Sequence, residues 1–297
     1  MLAAGGAGQG GYDGVDVRRR ALEDLAQWTA GDAPAIGDVR EIELRGPAGP
    51  IGARLYTPLG APDGPLPGMA FFHGGGWVAG SLHTHEGVCR RLANGSGCRV
   101  AAIDYRLAPE HPFPAGFDDA VAALAALASR AEALGIDPRR LGVAGDSAGA
   151  GLAAAVCQAG RAGGPAIAFQ LLICPILDMA AESGSRTELA EGYFLDRATL
   201  ERDLALYAPP DRADPRVSPL RTPDLTGLPP AFIHTAEFDP FRDEGRAYAR
   251  RLAEAGGQVH ETCHAGMIHY FYALPRVIRA AEAAVAGMGA EIAAALS

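Results

Sequence analysis

A serine with a glycine two positions away on each side stands at Gly145-Asp146-Ser147-Ala148-Gly149. The pentapeptide follows the apolar run LGVA and precedes the small-residue run AGLAAAV, so it reads as a turn from strand into helix. Such a turn forces an uncommon backbone conformation on the serine, and small residues beside it let strand and helix approach. The hydroxyl is then presented as a nucleophile, where a plain helix-capping serine would be the alternative. Upstream, His73-Gly74-Gly75-Gly76-Trp77 follows the apolar run MAFF. Three consecutive glycines cost conformational entropy, which bare N–H groups facing a carbonyl oxygen as it becomes an anion would justify. The N–H of Ala148, next to the serine, would complete that donor set. A glycine turn alone reads as a flexible loop, but the two motifs in this order support each other. Together they point to acyl transfer.

A nucleophilic serine needs a base, and the base needs an orienting acid. In strand-to-helix serine sites the chain order is Ser, then Asp or Glu, then His. Of eight histidines, only His234, His260, His264 and His269 follow Ser147 at any distance. His260 and His264 fall within or at the end of an expected strand, whereas His269 lies in a loop just beyond it, where such sheets build their sites. Asp239 follows the strand run AFIHTAEF, with Glu237 and Asp243 as rivals. Asp243 opens a helix, where the helix dipole alone explains a carboxylate.

The elements that must position these groups follow from periodicity. Val17, Ala21, Leu22, Leu25 and Trp28 recur at helical spacing, so about 15–29 reads as an amphipathic helix. VREIELRG and IGARLYTP flank GPAGP as a strand–turn–strand pair. From residue 68 strands alternate with helices, including an Ala-rich helix over about 115–134 and a final helix from about 270. That rhythm implies an α/β fold, a mostly parallel sheet with helices on both faces. Residues 178–220 are polar and Pro-rich, and break the rhythm as an inserted lid rather than bare loop.

With 297 residues the chain can bury a core without disulfides or metal. A net charge of −9 argues against nucleic-acid partners, and no apolar run reaches the length of a membrane span. The N-terminus lacks the pattern of a signal peptide, and five irregularly spaced cysteines fit reduced thiols, so a cytoplasmic protein is expected. Gly6 to Gly11 spell G-x-G-x-x-G, but no strand precedes them, so NAD binding is not expected. His83 and His85 find no partners at metal-ligand spacing, so no metal is expected. Asp104, Arg106 and Glu110 are expected to brace the loop beneath His73 to Gly76.

HGGGW at 73–77, DYRLAPEHPFPA at 104–115, GDSAG at 145–149, DPRVSPL at 214–220, LPPAFI at 228–233, DPFRDEG at 239–245 and GMIH at 266–269 occur in one order. Over about residues 40–275 the chain resembles the hormone-sensitive-lipase-like (bacterial family IV) esterases of the α/β-hydrolase superfamily. The resemblance implies Ser147 as nucleophile, Asp239 as acid and His269 as base. It implies Gly75, Gly76 and Ala148 as N–H donors of an oxyanion hole, with Gly74 shaping the turn. It also implies a cap made of residues 1–40 and 178–220, over a catalytic domain of 41–177 and 221–297. The substrate pocket is expected to involve Trp77, Asp146 and Tyr270, with core packing competing for Trp77. The chain departs from the family pattern at Tyr270, where Gly is common, at Phe241, where Leu is frequent, and at His83, where an acidic residue is frequent.

The expected function is hydrolysis of short- to medium-chain acyl esters through an acyl-enzyme, without cofactor. An amidase or deacylase on the same residues is the near alternative. A non-catalytic ligand-binding protein would require a broken triad, and an oxidoreductase rests only on the N-terminal glycines. The oligomeric state, a homodimer included, is not set by the sequence.

Overall fold

The computed structural model describes residues 13–29, 31–180, 182–207 and 209–297. The N-terminal G-x-G-x-x-G run lies outside them.

Short apolar runs rich in Val, Ile, Leu and Phe become central strands buried on both faces, while the two edge strands stay largely exposed or half-buried. In chain order the strands are β1 (Asp38–Gly46), β2 (Gly49–Thr57), β3 (Leu66–Phe72), β4 (Arg99–Ile103), β5 (Ile136–Asp146), β6 (Gln170–Ile173), β7 (Ala231–Phe238) and β8 (Val259–Ile268). They form one sheet in the order β1-β2-β4-β3-β5-β6-β7-β8. The β1–β2 and β2–β4 pairs are antiparallel, and every pair from β4 to β8 is parallel. Two cores follow from the alternation of side chains along each strand. In β3, Ala70 and Phe72 join the core beneath α3 (Ala115–Ser129), α4 (Ala148–Gly160) and α7 (Arg242–Glu254). Met69 and Phe71 join the core beneath α2 (Glu86–Ser96) and α8 (Ala280–Ala295).

The remaining helices are α1 (Asp13–Thr29), α5 (Gly184–Glu188) and α6 (Arg197–Tyr207). The last two lie in the 178–220 excursion, and α1 is amphipathic, with Val15, Leu22 and Ala26 buried. The Ala-rich helix is shorter than its periodicity suggests: it ends at Ser129, and Glu132–Leu134 form a separate 3-10 turn closed by Gly135 at φ 69°. The final helix also starts later than expected. Residue 270 is followed by a 3-10 turn over Phe271–Ala273, and α8 begins at Ala280. Pro275 between them cannot donate a helical hydrogen bond. Among the described residues, no helix is long and apolar enough to cross a membrane.

Candidate active site

Strand β5 ends at Asp146 and α4 begins at Ala148, which leaves Ser147 alone in the turn at φ 53°, ψ −120°. Its backbone is fixed from both sides: its N–H donates to Ile173 O at 2.8 Å, and its carbonyl accepts from Gly151 and Ile176. The approach needs glycine, because a Cβ at Gly149 would lie 2.0 Å from the carbonyl oxygen of Phe72.

His269 follows directly on β8. Its Nε2 stands 3.0 Å from Ser147 Oγ, and its Nδ1 stands 2.9 Å from Asp239 Oδ2. Asp239, just past β7, is wholly buried, and its Oδ1 accepts the N–H of Phe241 at 2.8 Å. The ring of Phe241 meets His269 edge-on at 5.3 Å, which fixes the plane of the imidazole. The other candidates lead elsewhere. His234 pairs with His264 at 3.2 Å, and His260 stacks on Phe232 at 4.8 Å. Glu237 accepts the N–H of Gly266, while Asp243 accepts that of Ser185 and pairs with Arg242. Cys174, Asp239 and His269 each bring one ligand-type atom within 4.8 Å of the others. Burial, with Asp239 beside it, pushes the Cys174 thiol well up, so it stays protonated, the opposite of what a metal ligand needs.

The glycine loop is held by Asp146. This carboxylate is wholly buried; it accepts the Gly74 N–H at 2.9 Å and the Tyr272 hydroxyl at 2.8 Å, and meets His85 Nε2 at 3.2 Å. Burial alone would raise its carboxyl, but His85, Tyr272 and His73 outweigh that and hold it below the usual carboxylate range. The Gly74 N–H is therefore engaged by Asp146 and is not a free donor. Among the described residues no acceptor takes the N–H of Gly75, Gly76 or Ala148. Gly75 sits at φ 121°, and a Cβ there would lie 2.2 Å from Ala79 O, so only glycine fits the turn. Tyr105 braces the loop from below, its hydroxyl donating to His73 O at 2.7 Å. Of the residues expected in that role, Arg106 pairs with Asp119, and Glu110 pairs with Arg19 of α1.

Ser147 and His269 open into a cavity of about 650 Å³ that also reaches Asp146 and Tyr270. Trp77 is a correction: it is 2% exposed, outside this cavity, and stacks at 4.7 Å on Tyr207 of α6. Core packing holds it, because Trp77 and Tyr207 belong to the same buried apolar cluster. The buried partners His85, Tyr105 and Tyr272 were not legible as part of the site. Their signal was weak: polar side chains inside otherwise apolar runs, which pair only across the fold.

The alpha/beta hydrolase fold family matches over residues 69–273. Carboxylesterase NlhH of Mycobacterium tuberculosis is 42% identical over 289 residues, covering 94% of this chain and 89% of that protein. Ethyl acetate hydrolase of Pseudomonas putida is 38% identical over 275 residues, covering 90% and 86%. An ester hydrolase from the metagenome of Lake Arreo, solved with a derivative of bipyridine phosphonate, superposes with a TM-score of 0.93 at 46% identity, covering 97% and 93%. On the sheet order, the serine turn and these likenesses, the chain belongs to the α/β-hydrolase fold family, in its hormone-sensitive-lipase-like branch of carboxylic ester hydrolases.

Proposed function

We propose that the protein hydrolyses short- to medium-chain acyl esters, with Ser147 as nucleophile, His269 as general base and acid, and Asp239 as its orienting carboxylate. One observation carries the reading: a single imidazole is hydrogen-bonded at both ends, to Ser147 at 3.0 Å and to Asp239 at 2.9 Å. With Nδ1–H donated to Asp239, Nε2 is free to accept the serine proton. Ser147 Oγ attacks the ester carbonyl, and the N–H groups of Gly75, Gly76 and Ala148 receive the oxyanion. The imidazolium then protonates the departing alcohol oxygen. Water, deprotonated by the same Nε2, opens the acyl-enzyme and returns Ser147 to its starting state. Gly74 holds the loop through Asp146 rather than donating to the oxyanion.

In this reading α1 and the 178–220 excursion form the cap over the cavity. It is supported by the cavity wall, which takes Leu22, Leu25 and Trp28 from α1, and Phe194, Leu195 and Leu200 from the excursion. This apolar wall suits an acyl chain of modest length. The five cysteines are free thiols, four of them buried, which supports a reducing, cytoplasmic setting.

The test is turnover of p-nitrophenyl esters from acetyl to decanoyl, with matched anilides. Ser147→Ala is expected to abolish hydrolysis with the thermal unfolding midpoint retained. Full activity in that variant overturns the assignment, and anilides turned over faster than esters would make the protein an amidase.

A further inference from the structure

Asp203 places a buried carboxylate beside the loop that must receive an anion. It lies on α6 and is 2% exposed. A Cβ built on Gly76 would come within 2.5 Å of its Oδ2, so the carboxylate packs directly on that glycine. Oδ2 accepts a hydrogen bond from Arg18 NH2 on α1 at 3.3 Å, while Oδ1 has no hydrogen-bond partner. Arg202, about half exposed, stands 4.0 Å from Oδ1. Burial pushes the Asp203 carboxyl above its ordinary value, and Arg18 and Arg202 pull it back. Arg18 and Asp203 both line the cavity that holds Ser147 and His269.

An oxyanion held by the Gly76 N–H would sit about 3 Å from that nitrogen. A carboxylate packed on the same glycine is then on the order of 6 Å from the forming charge. At an effective dielectric near 20, like-charge repulsion over that distance is worth on the order of a hundredfold in rate. A cation on Asp203 removes most of it. An ester is neutral until attacked, so the effect belongs to the transition state and not to substrate binding.

We propose that Arg18 is a positioning residue of the reaction, whose guanidinium offsets the charge of Asp203 beside Gly76 while tying cap helix α1 to α6 over the oxyanion loop. The proposal rests on the reading of Gly76 as an oxyanion donor. It also accounts for a part-buried contact between residues 185 positions apart in two cap segments.

A double-mutant cycle on kcat tests it. Arg18→Gln in the parent is expected to lower kcat about tenfold with KM little changed. That is less than the full repulsion, because Arg202 remains and part of Asp203 takes up a proton. The same substitution in an Asp203→Asn background is expected to cost no more than about twofold. Arg18→Lys, which keeps the charge, is expected to retain kcat within about threefold. Equal losses in both backgrounds, a loss confined to KM, no loss at all, or Lys behaving like Gln each overturn the proposal. Thermal unfolding of every variant shows whether the fold is retained, and Arg18→Met, which keeps the aliphatic stem, replaces Gln if Gln does not fold. The parent and Ser147→Ala are assayed alongside. An inactive parent sinks the esterase reading, whereas an active parent with an additive cycle sinks only this inference.

Discussion

The strand-end site and the proposed cap are built on different principles. At the strand ends the groups that hold the site in place are buried and hydrogen-bonded: Asp146 holds Gly74, Tyr272 and His85, and the Ser147 N–H is bonded to Ile173 O. In the cap, charge pairs such as Arg197–Glu182 and Arg212–Glu201 lie about half exposed, and Trp28 and Phe194 stand 67% and 47% exposed. Exposed pairs of this kind each contribute about 0–1 kcal/mol. Acyl transfer tolerates little displacement of its reacting groups, whereas a substrate must enter and leave. The rigid region therefore sits on parallel strands, and the loosely tied one lies over it. They touch where Asp203 packs on Gly76 of the glycine loop, and where Phe194 stacks on Tyr270 at 5.6 Å.

The sharpest break is at Asp239. In Asp239→Asn the amide oxygen stays on the Phe241 N–H and an NH2 donor faces His269 Nδ1, which favours the wrong tautomer, and kcat is expected to fall on the order of 10⁴-fold. Asp243→Asn, which alters a carboxylate bonded to Ser185 and Arg242, is expected to change kcat less than about twofold. Steady-state kinetics on a p-nitrophenyl ester decides, and the reverse ranking would move the acid to Asp243.

Next in size is Asp146→Ala, which strands a buried N–H, a hydroxyl and a histidine. A loss of about 3–5 kcal/mol is expected in denaturant unfolding. Glu201→Ala in the cap is expected to cost under about 1 kcal/mol. Similar losses at the two sites would erase the contrast between the regions.

A third comparison sits where they meet. Tyr270 is held at φ 68°, a conformation rare for a bulky side chain, and lines the cavity beside His269. Tyr270→Gly relieves that strain and removes the stack on Phe194, at some cost in packing. The ratio of kcat/KM for decanoyl over acetyl esters is expected to rise several-fold, by about 1 kcal/mol of discrimination per extra methylene admitted. An unchanged ratio would show that the wall lies elsewhere.

The last comparison is in pH. Burial, with His85 beside it, lowers His73 to about 4, and burial, with His234 beside it, lowers His264 to about 4. Asp146 near His73 and Glu291 near His264 oppose those shifts without cancelling them. Both histidines take up a proton near 6.5 when the chain unfolds, so the unfolded state binds more protons below that pH. Stability is then fully present above about 6.5 and falls as pH drops toward 4. The unfolding midpoint between pH 7 and 4 should decline gradually, and the decline should shrink in His264→Gln. A flat profile would mean that neither histidine is held neutral.

Much of this molecule could be read before folding, because the deciding forces are local. The turn at Gly145 to Gly149 is set by neighbouring residues, and strand and helix periods are carried by side chains two to four positions apart. Element ends were less legible: α8 starts at Ala280 rather than near 270 because Pro275 and a 3-10 turn intervene. Choosing His269 from four histidines rested on chain order and resemblance, and the sheet order shows the physical reason: β7 and β8 are neighbours, so their C-terminal ends put Asp239 and His269 together.

Composition and spacing by themselves determined the fold class, the serine turn and the glycine loop. Only the tertiary structure decided that the Gly74 N–H belongs to Asp146, that Trp77 packs on Tyr207, and that Arg18 reaches Asp203. Those outcomes depend on desolvation and on which buried polar group finds a partner, and both are properties of the packed interior that no local stretch of sequence contains.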